Sequence, residues 1–123
     1  MLLVSANVNG IRAASRRGGV TWLEAAAPDV VTLQEVRADD DQLAAALAGS
    51  TFEGWHLAHS GCSVPGRSGV AVLSRWPFAE VRTDIGAGFA GSGRWVEADV
   101  LVAGADGAVA VTAASARSGV AIW

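Results

Sequence analysis

Two short stretches of this chain put oxygen-bearing side chains directly after apolar runs. Asn7-Val8-Asn9-Gly10 follows the run that begins at Leu2, and Glu35 follows Val30-Val31-Thr32-Leu33-Gln34. Amide side chains at a strand end can hydrogen-bond a phosphate or hold a water on a metal. A carboxylate at the carboxyl end of a buried parallel strand stands where α/β sheets place their ligand crevices. Such a carboxylate suits Mg²⁺, a hard cation that takes oxygen ligands and keeps several of its waters. Each stretch also has a plainer reading. Asn-Gly at a strand end is a common turn, and Glu35 could be a solvated carboxylate paired with Arg37 or Arg12, a contact of small energetic consequence. The two stretches say more together. Neighbouring strands lie about 5 Å apart, so Asn7 and Glu35 could face one cleft, although spacing fixes no third ligand.

The elements that would position these residues follow from periodicity. Residues 2–7 read as a strand that ends in turn residues. Residues 11–27 read as helix, interrupted at Gly18-Gly19 and ended by Pro28-Asp29, so a short turn should precede the helix proper. The continuous run 30–33 has the pattern of a strand buried on both faces. Strand, helix, strand is a βαβ unit with an expected right-handed crossover. Residues 39–48 form a second helix with acids at its N-terminus, where the macrodipole favours them. Residues 55–58, 70–73, 80–82, 94–101 and 108–112 then read as strands, separated by loops of which 65–69 and 86–93 are the clearest. This is an α/β layered domain whose later strands are mostly antiparallel, with no internal repeat.

Length and composition bound the function classes. The chain has 123 residues, enough for one compact domain. Hydrophobic residues make up 51% and charged ones 17%, which argues for a packed core and against disorder. No apolar run reaches the roughly 18 residues of a membrane-spanning helix, and Met1-Leu2-Leu3-Val4 lacks a basic leader pattern, so no membrane role is expected. Cys62 is the only cysteine, which excludes an internal disulfide and fits a reducing cytoplasm. A coat protein for nucleic acid would be basic. The net charge of -3 leaves room for a nuclease, because metal-binding carboxylates add negative charge and a cleft needs only local basicity.

Four segments carry a family resemblance. Val4-Ser5-Ala6-Asn7-Val8-Asn9-Gly10-Ile11-Arg12-Ala13-Ala14 resembles the opening of exonuclease III/AP endonuclease-type enzymes, close to "WNVNGIRA". Pro28-Asp29-Val30-Val31-Thr32-Leu33-Gln34-Glu35-Val36-Arg37 is similar to their "PDI-x-x-LQE-x-K" segment, the stretch from Gly66 to Arg75 to "GYSGVAILSR", and Gly93 to Asp99 to "GR-x-x-EAD". The motifs come in family order and span most of residues 2–112. The resemblance implies the N-terminal half of a four-layer α/β sandwich of the DNase I-like type, with a mixed, mostly antiparallel sheet and helices outside. It implies Glu35 as a metal-binding carboxylate and Asn7 as an active-site amide. Asn9 falls where some relatives carry a metal-linked Asp. The implied cofactor is Mg²⁺, with Mn²⁺ as a second candidate. The implied partner is double-stranded DNA carrying abasic sites or 3' ends, and a phosphatase of the same fold is the alternative within the family.

Arg12, Arg16 and Arg17 could form a basic rim for the DNA backbone or a solvated helix face. Arg67 replaces an aromatic residue of the family pattern at a point of DNA contact or packing. Arg94 could touch phosphate or pair with Glu97 or Asp99. Trp22 and Trp95 are expected in the core, and Trp76 in a loop where it could stack on a base. His56 and His59 are read as lying on one side of a strand, with nothing nearby to complete a metal site. Against the family pattern the chain has no Tyr, no Asp-x-Asn and no late His. Residues 1–112 are therefore read as a partial domain and 113–123 as a divergent tail. Two expectations follow: weak or absent activity by this chain alone, leaving a non-catalytic fragment that binds DNA, Mg²⁺ or a complementary half as the rival reading, and self-association through an exposed apolar sheet face.

Overall fold

Every residue of Val30–Gln34 is buried, and alternate residues face different layers. In this computed structural model, which describes residues 1–83, 92–104 and 107–116, the side chains are described to residue 83 and over 92–103. The chain runs β1 (Leu3–Asn7), α1 (Ile11–Arg16), α2 (Gly19–Ala26), β2 (Val30–Gln34), α3 (Asp40–Leu47), β3 (His56–Ser60), β4 (Val70–Ser74), β5 (Phe78–Arg82), β6 (Trp95–Gly104) and β7 (Gly107–Ala116). A four-stranded sheet has the order β1-β2-β4-β3, and a three-stranded sheet has the order β5-β6-β7. Only β1 and β2 pair in parallel, as the intervening helices require; the remaining pairings are antiparallel.

Two cores sandwich the first sheet. On one face Val31, Leu33, Ala71 and Leu73 pack with Ile11, Leu23, Leu43 and Leu47 of the helices. On the other, Val30, Ala58, Val70 and Val72 pack with Val96, Ala98 and Val100 of β6. The order of layers is thus helix, sheet, sheet. The helix layer is shaped by local signals. The break between α1 and α2 falls at Gly18, whose φ is 87°. Asp39 caps α3 through a reciprocal capping box with Gln42. Among the described residues no helix is long and apolar enough to cross a membrane.

Several expectations are corrected. The inner face of the first sheet is not bare: its central residues, Val70 and Val72, are fully buried, because the chain supplies strands of both sheets and β6 lies over it. The exposed residues described on that face are Ser5 and Asn7 of β1 and His56 of β3, all polar. Trp22 is 63% exposed. The buried positions of α2 are Val20 and Leu23, and at 100° per residue Trp22 falls away from their face. Trp76 packs against the core between the sheets instead of standing free, while Trp95 is half-buried. The strand expected over 108–112 runs to Ala116, because β6 offers a partner along its whole length. Residues 84–91, within the stretch read as a loop, and 117–123 of the expected tail lie outside the described residues.

The end of α2 is tied to the segment after α3 through Glu24. Its Oε2 accepts from the Thr51 N–H at 2.9 Å and from the Thr51 hydroxyl at 2.8 Å. The backbone bond, then the hydroxyl, holds the Glu24 carboxyl below its ordinary value. A depressed carboxyl stabilises the fold above its unfolded value and loses that contribution as pH falls through the folded one. The stability difference between the parent and Glu24→Gln should therefore be present at neutral pH. It should shrink below the ordinary carboxylate range, as read by urea unfolding at a series of pH values.

Candidate active site

The pairing of the first sheet continues past its strands into the loops at the carboxyl ends of β1 and β2. Val8 N donates to Gln34 O at 3.0 Å, Gly10 N to Glu35 O at 2.8 Å and Ile11 N to Val36 O at 3.0 Å. On the other side Val36 N donates to Gly69 O at 2.9 Å, Arg37 N to Ser68 O at 2.7 Å, and Gly69 N to Gly93 O at 2.9 Å. This ladder holds four non-glycine residues in the left-handed region: Asn9 (φ 46°), Glu35 (φ 52°), Arg37 (φ 51°) and Ser68 (φ 49°). Each such residue costs on the order of 1–3 kcal/mol and persists only where its surroundings over-determine it. Gly93 closes the bracket. A Cβ there would lie 2.6 Å from Cys62 N and 2.9 Å from Gly69 N, at a φ of 65°.

Two of the strained residues, Asn9 and Glu35, are candidate site residues, and Asn7 precedes them at the end of β1. Asn7 stands opposite Gln34 in the parallel register, one residue before Glu35. Its Oδ1 accepts from Asn9 N at 3.0 Å, so the amide shapes its own turn. The Glu35 side chain is 26% exposed, and its Oε2 takes an Arg37 guanidinium N–H at 3.1 Å. The pair with Arg37 that the sequence allowed is therefore made; the one with Arg12 is replaced by a bond from the Arg12 guanidinium to Arg37 O at 3.0 Å. A groove of about 240 Å³ beside it is lined by Gly10, Arg12, Ala13, Arg16, Arg37 and Gly66. Arg12 and Arg67 both line a neighbouring cavity of about 700 Å³. Arg12 thus joins Arg16 in the groove to Arg67 in the cavity, and Arg37, the partner of Glu35, lines the groove.

Arg94 is exposed at the start of β6 and lines neither cavity. The acids weighed as its partners belong to Arg82, which holds Asp99 at 2.8 Å, Glu97 at 3.0 Å and Glu80 at 3.0 Å. Its bonds to Asp99 and then Glu97 keep the Arg82 guanidinium charged. His56 and His59 do not share a side of β3. They are three positions apart, so the period of two sends them to opposite faces: His59 meets Asp40 of α3, and His56 meets Phe78 of the second sheet. Sequence reasoning missed Arg37 as a groove residue, although the basic position two after Glu35 was in view. It also missed the part played by Gly93, whose only trace in the sequence is a glycine at the start of the last motif.

The donor chemistry favours a hard cation. Glu35 offers a carboxylate, and Asn7 and Asn9 offer amide oxygens. Among the described residues no group of three His, Cys, Asp or Glu could hold an ion. One carboxylate with neutral oxygens fits Mg²⁺, which keeps most of its waters, and does not fit the closed N/S set of a structural zinc site. Replacing Glu35 with glycine tests the strain: Glu35→Gly should raise stability by about 1 kcal/mol, while Gly93→Ala should lower it by more than about 2 kcal/mol, both read by urea unfolding.

A family model described as the Endonuclease/Exonuclease/phosphatase family matches residues 4–120. Among solved structures, the chain is similar to an AP endonuclease from Archaeoglobus fulgidus, with a TM-score of 0.64 and 26% identity over 81% of this chain and 37% of that one. It is similar to NExo, a 3'-5' exonuclease from Neisseria meningitidis, with a TM-score of 0.62 and 32% identity over 81% and 38% of the two chains. A further structure of NExo from Neisseria, there called a 3' phosphatase, holds a product DNA hairpin; it is 32% identical, with a TM-score of 0.63 over 81% and 37% of the two chains. The APE2 catalytic domain of Xenopus laevis shares the fold, with a TM-score of 0.68 and 20% identity over 94% and 44%. The chain spans well under half the length of these proteins, 37% to 44%. Its fold corresponds to the N-terminal part of theirs.

Proposed function

This chain belongs to the endonuclease/exonuclease/phosphatase family, and from that premise we propose that it serves Mg²⁺-dependent hydrolysis of DNA phosphodiesters in the manner of exonuclease III and AP endonucleases. One observation carries the reading: the Glu35 carboxylate pairs with Arg37 at 3.1 Å, and Arg37 lines a groove together with Arg12 and Arg16. Glu35, with the amides of Asn7 and Asn9, would hold Mg²⁺, Mn²⁺ being able to replace it. Bound there, the ion would stabilise charge developing on a phosphate and its leaving oxygen. Arg12, Arg16, Arg37 and Arg67 bind the strand by its phosphates and set its register against Glu35. Arg94 extends this contact from the start of β6. The proposed substrate is double-stranded DNA with an abasic site or a 3' end, supported by the AP endonuclease and NExo likenesses. A reducing cytoplasm suits the lone Cys62.

Binding and turnover separate in this chain. With no His after residue 59 in the sequence, the Asp-His pair that the family resemblance implies as the base is not at hand to activate the attacking water, a loss on the order of 10²–10⁴ in rate. We therefore expect this chain alone to bind DNA and cut it weakly or not at all.

The test is a fluorescent duplex with one abasic analogue, with Mg²⁺ or with EDTA, against the parent and Glu35→Ala. The expected result is salt-sensitive binding by both, with any cutting dependent on Mg²⁺ and lost in Glu35→Ala. Arg12→Ala and Arg16→Ala should each lower the salt slope of binding by about one. Cutting that survives EDTA, or a salt slope indifferent to both arginines, would refute the proposal.

A further inference from the structure

His59 is not used by the site at Glu35, and its surroundings are unusual. Its side chain is 3% exposed, and its Nδ1 lies 2.7 Å from Asp40 Oδ1. Its Nε2 is buried and has no hydrogen-bond partner. His59 is among the residues lining the cavity of about 700 Å³ between α3 and the 61–67 loop, a volume within the usual range for small-ligand sites. Thr32 Oγ1 and Trp95 Nε1 are also buried and unpartnered, but neither residue lines this cavity.

We propose that this cavity is a second, proton-linked site, which takes a phosphate group on His59 Nε2 with Arg12 and Arg67 at its rim. Asp40 holds the proton of the neutral ring on Nδ1, so Nε2 carries a lone pair. A second proton makes Nε2 a donor as well. That donor is unfavourable while it lacks an acceptor, and a phosphate oxygen supplies one. Anion binding and proton uptake therefore favour each other.

The remaining charges around the ring leave room for an anion. The Asp39 and Asp40 carboxylates also line the cavity and keep their charge, each bonded elsewhere, Asp39 to Gln42 N at 2.7 Å and Asp40 to His59 itself, so that Arg12 and Arg67 supply the positive charge an anion would meet. Cys62 is the other titratable group of the loop lining, and its sulfur accepts from Val64 N. Ala71, opposite His59 on β4, is uncharged, and His56 lies on the far face of β3. Gly61 leaves the edge of the ring open: a Cβ there would stand 3.6 Å from Cε1 and 3.8 Å from Nε2. A methyl group would fill that space at ordinary contact distance.

The shared ligand chemistry is a phosphate, either free or within a nucleic-acid strand. The test follows the imidazole resonances of His59 and His56 by NMR while inorganic phosphate is added at several pH values, with chloride at matched ionic strength as control. Phosphate should raise the titration midpoint of His59 and leave His56 at its chloride value. Phosphate affinity should rise by up to about tenfold per pH unit as pH falls, the limit for one proton taken up per anion. His59→Gln should abolish that slope, and Gly61→Ala should weaken phosphate binding about tenfold or more without loss of fold. Adding duplex DNA identifies the source: displacement of phosphate from His59 assigns the site to a strand phosphate, and persistence assigns it to the free anion. A His59 midpoint indifferent to phosphate, or equal phosphate binding by Gly61→Ala, would overturn the proposal whether or not the chain acts on DNA.

Discussion

Glu35 sits at the end of a fully buried strand and turns left-handed there, and the backbone on either side of it has no freedom to relax. Its carbonyl accepts from Gly10, the amide of Val36 donates to Gly69, and Gly69 in turn donates to Gly93. Segments from β1, β2, the turn before β4 and the approach to β6 are joined at this place. Strain of a few kcal/mol is tolerable only because a rigid, two-sided core stands behind it. That core consists of Val31 and Leu33 against the helices and of Val30, Val70 and Val72 against β6. The backbone therefore fixes the direction in which the side chain leaves the strand end, and the Arg37 guanidinium, 3.1 Å away, holds the carboxylate.

The same bracket explains the basic surface. The turn that places Glu35 also carries the Arg37 carbonyl to Arg12, so the first helix and the loop after β2 share one anchored guanidinium. Arg16 follows one helical turn later on the same face, since residues four apart are neighbours on a helix. The charges on the outer face of the second sheet are of another kind. Arg82 is saturated by three acids there and is a structural cation. Net charge alone would have hidden this division, because an acidic chain can still gather its free arginines on one side.

Much of this was legible in the sequence, for physical reasons that differ by element. The buried strands announced themselves by continuous β-branched runs, the capped helix by its acids, and the turns at Asn7 and Glu35 by polar residues placed directly after apolar ones. Arg12 and Arg16 were legible as a group because a helix keeps them on one face. Trp22 was misplaced because a helix of eight residues buries only a narrow stripe, and Val20 with Leu23 takes it. The cover over the first sheet was missed because sheet-on-sheet packing depends on which strands return, a long-range outcome with no local signature. Arg94 was paired by proximity along the chain, whereas the antiparallel register brings Arg82 to Glu97 and Asp99. Left-handed backbone at Glu35, Arg37 and Ser68 lies beyond any sequence rule, because these residue types disfavour it and only the surrounding ladder imposes it.

The central claim is that the bracketed carboxyl end of the sheet is the cation site, in preference to the other acidic places on the molecule. The most direct test is paramagnetic broadening of backbone amide resonances by substoichiometric Mn²⁺. Broadening centred on Asn7 to Gly10 and on Glu35 to Val36, and lost in Glu35→Ala, is the result the account predicts. Broadening centred on Asp39 to Asp41 or on Glu97 to Asp99, and unchanged in that variant, would contradict it.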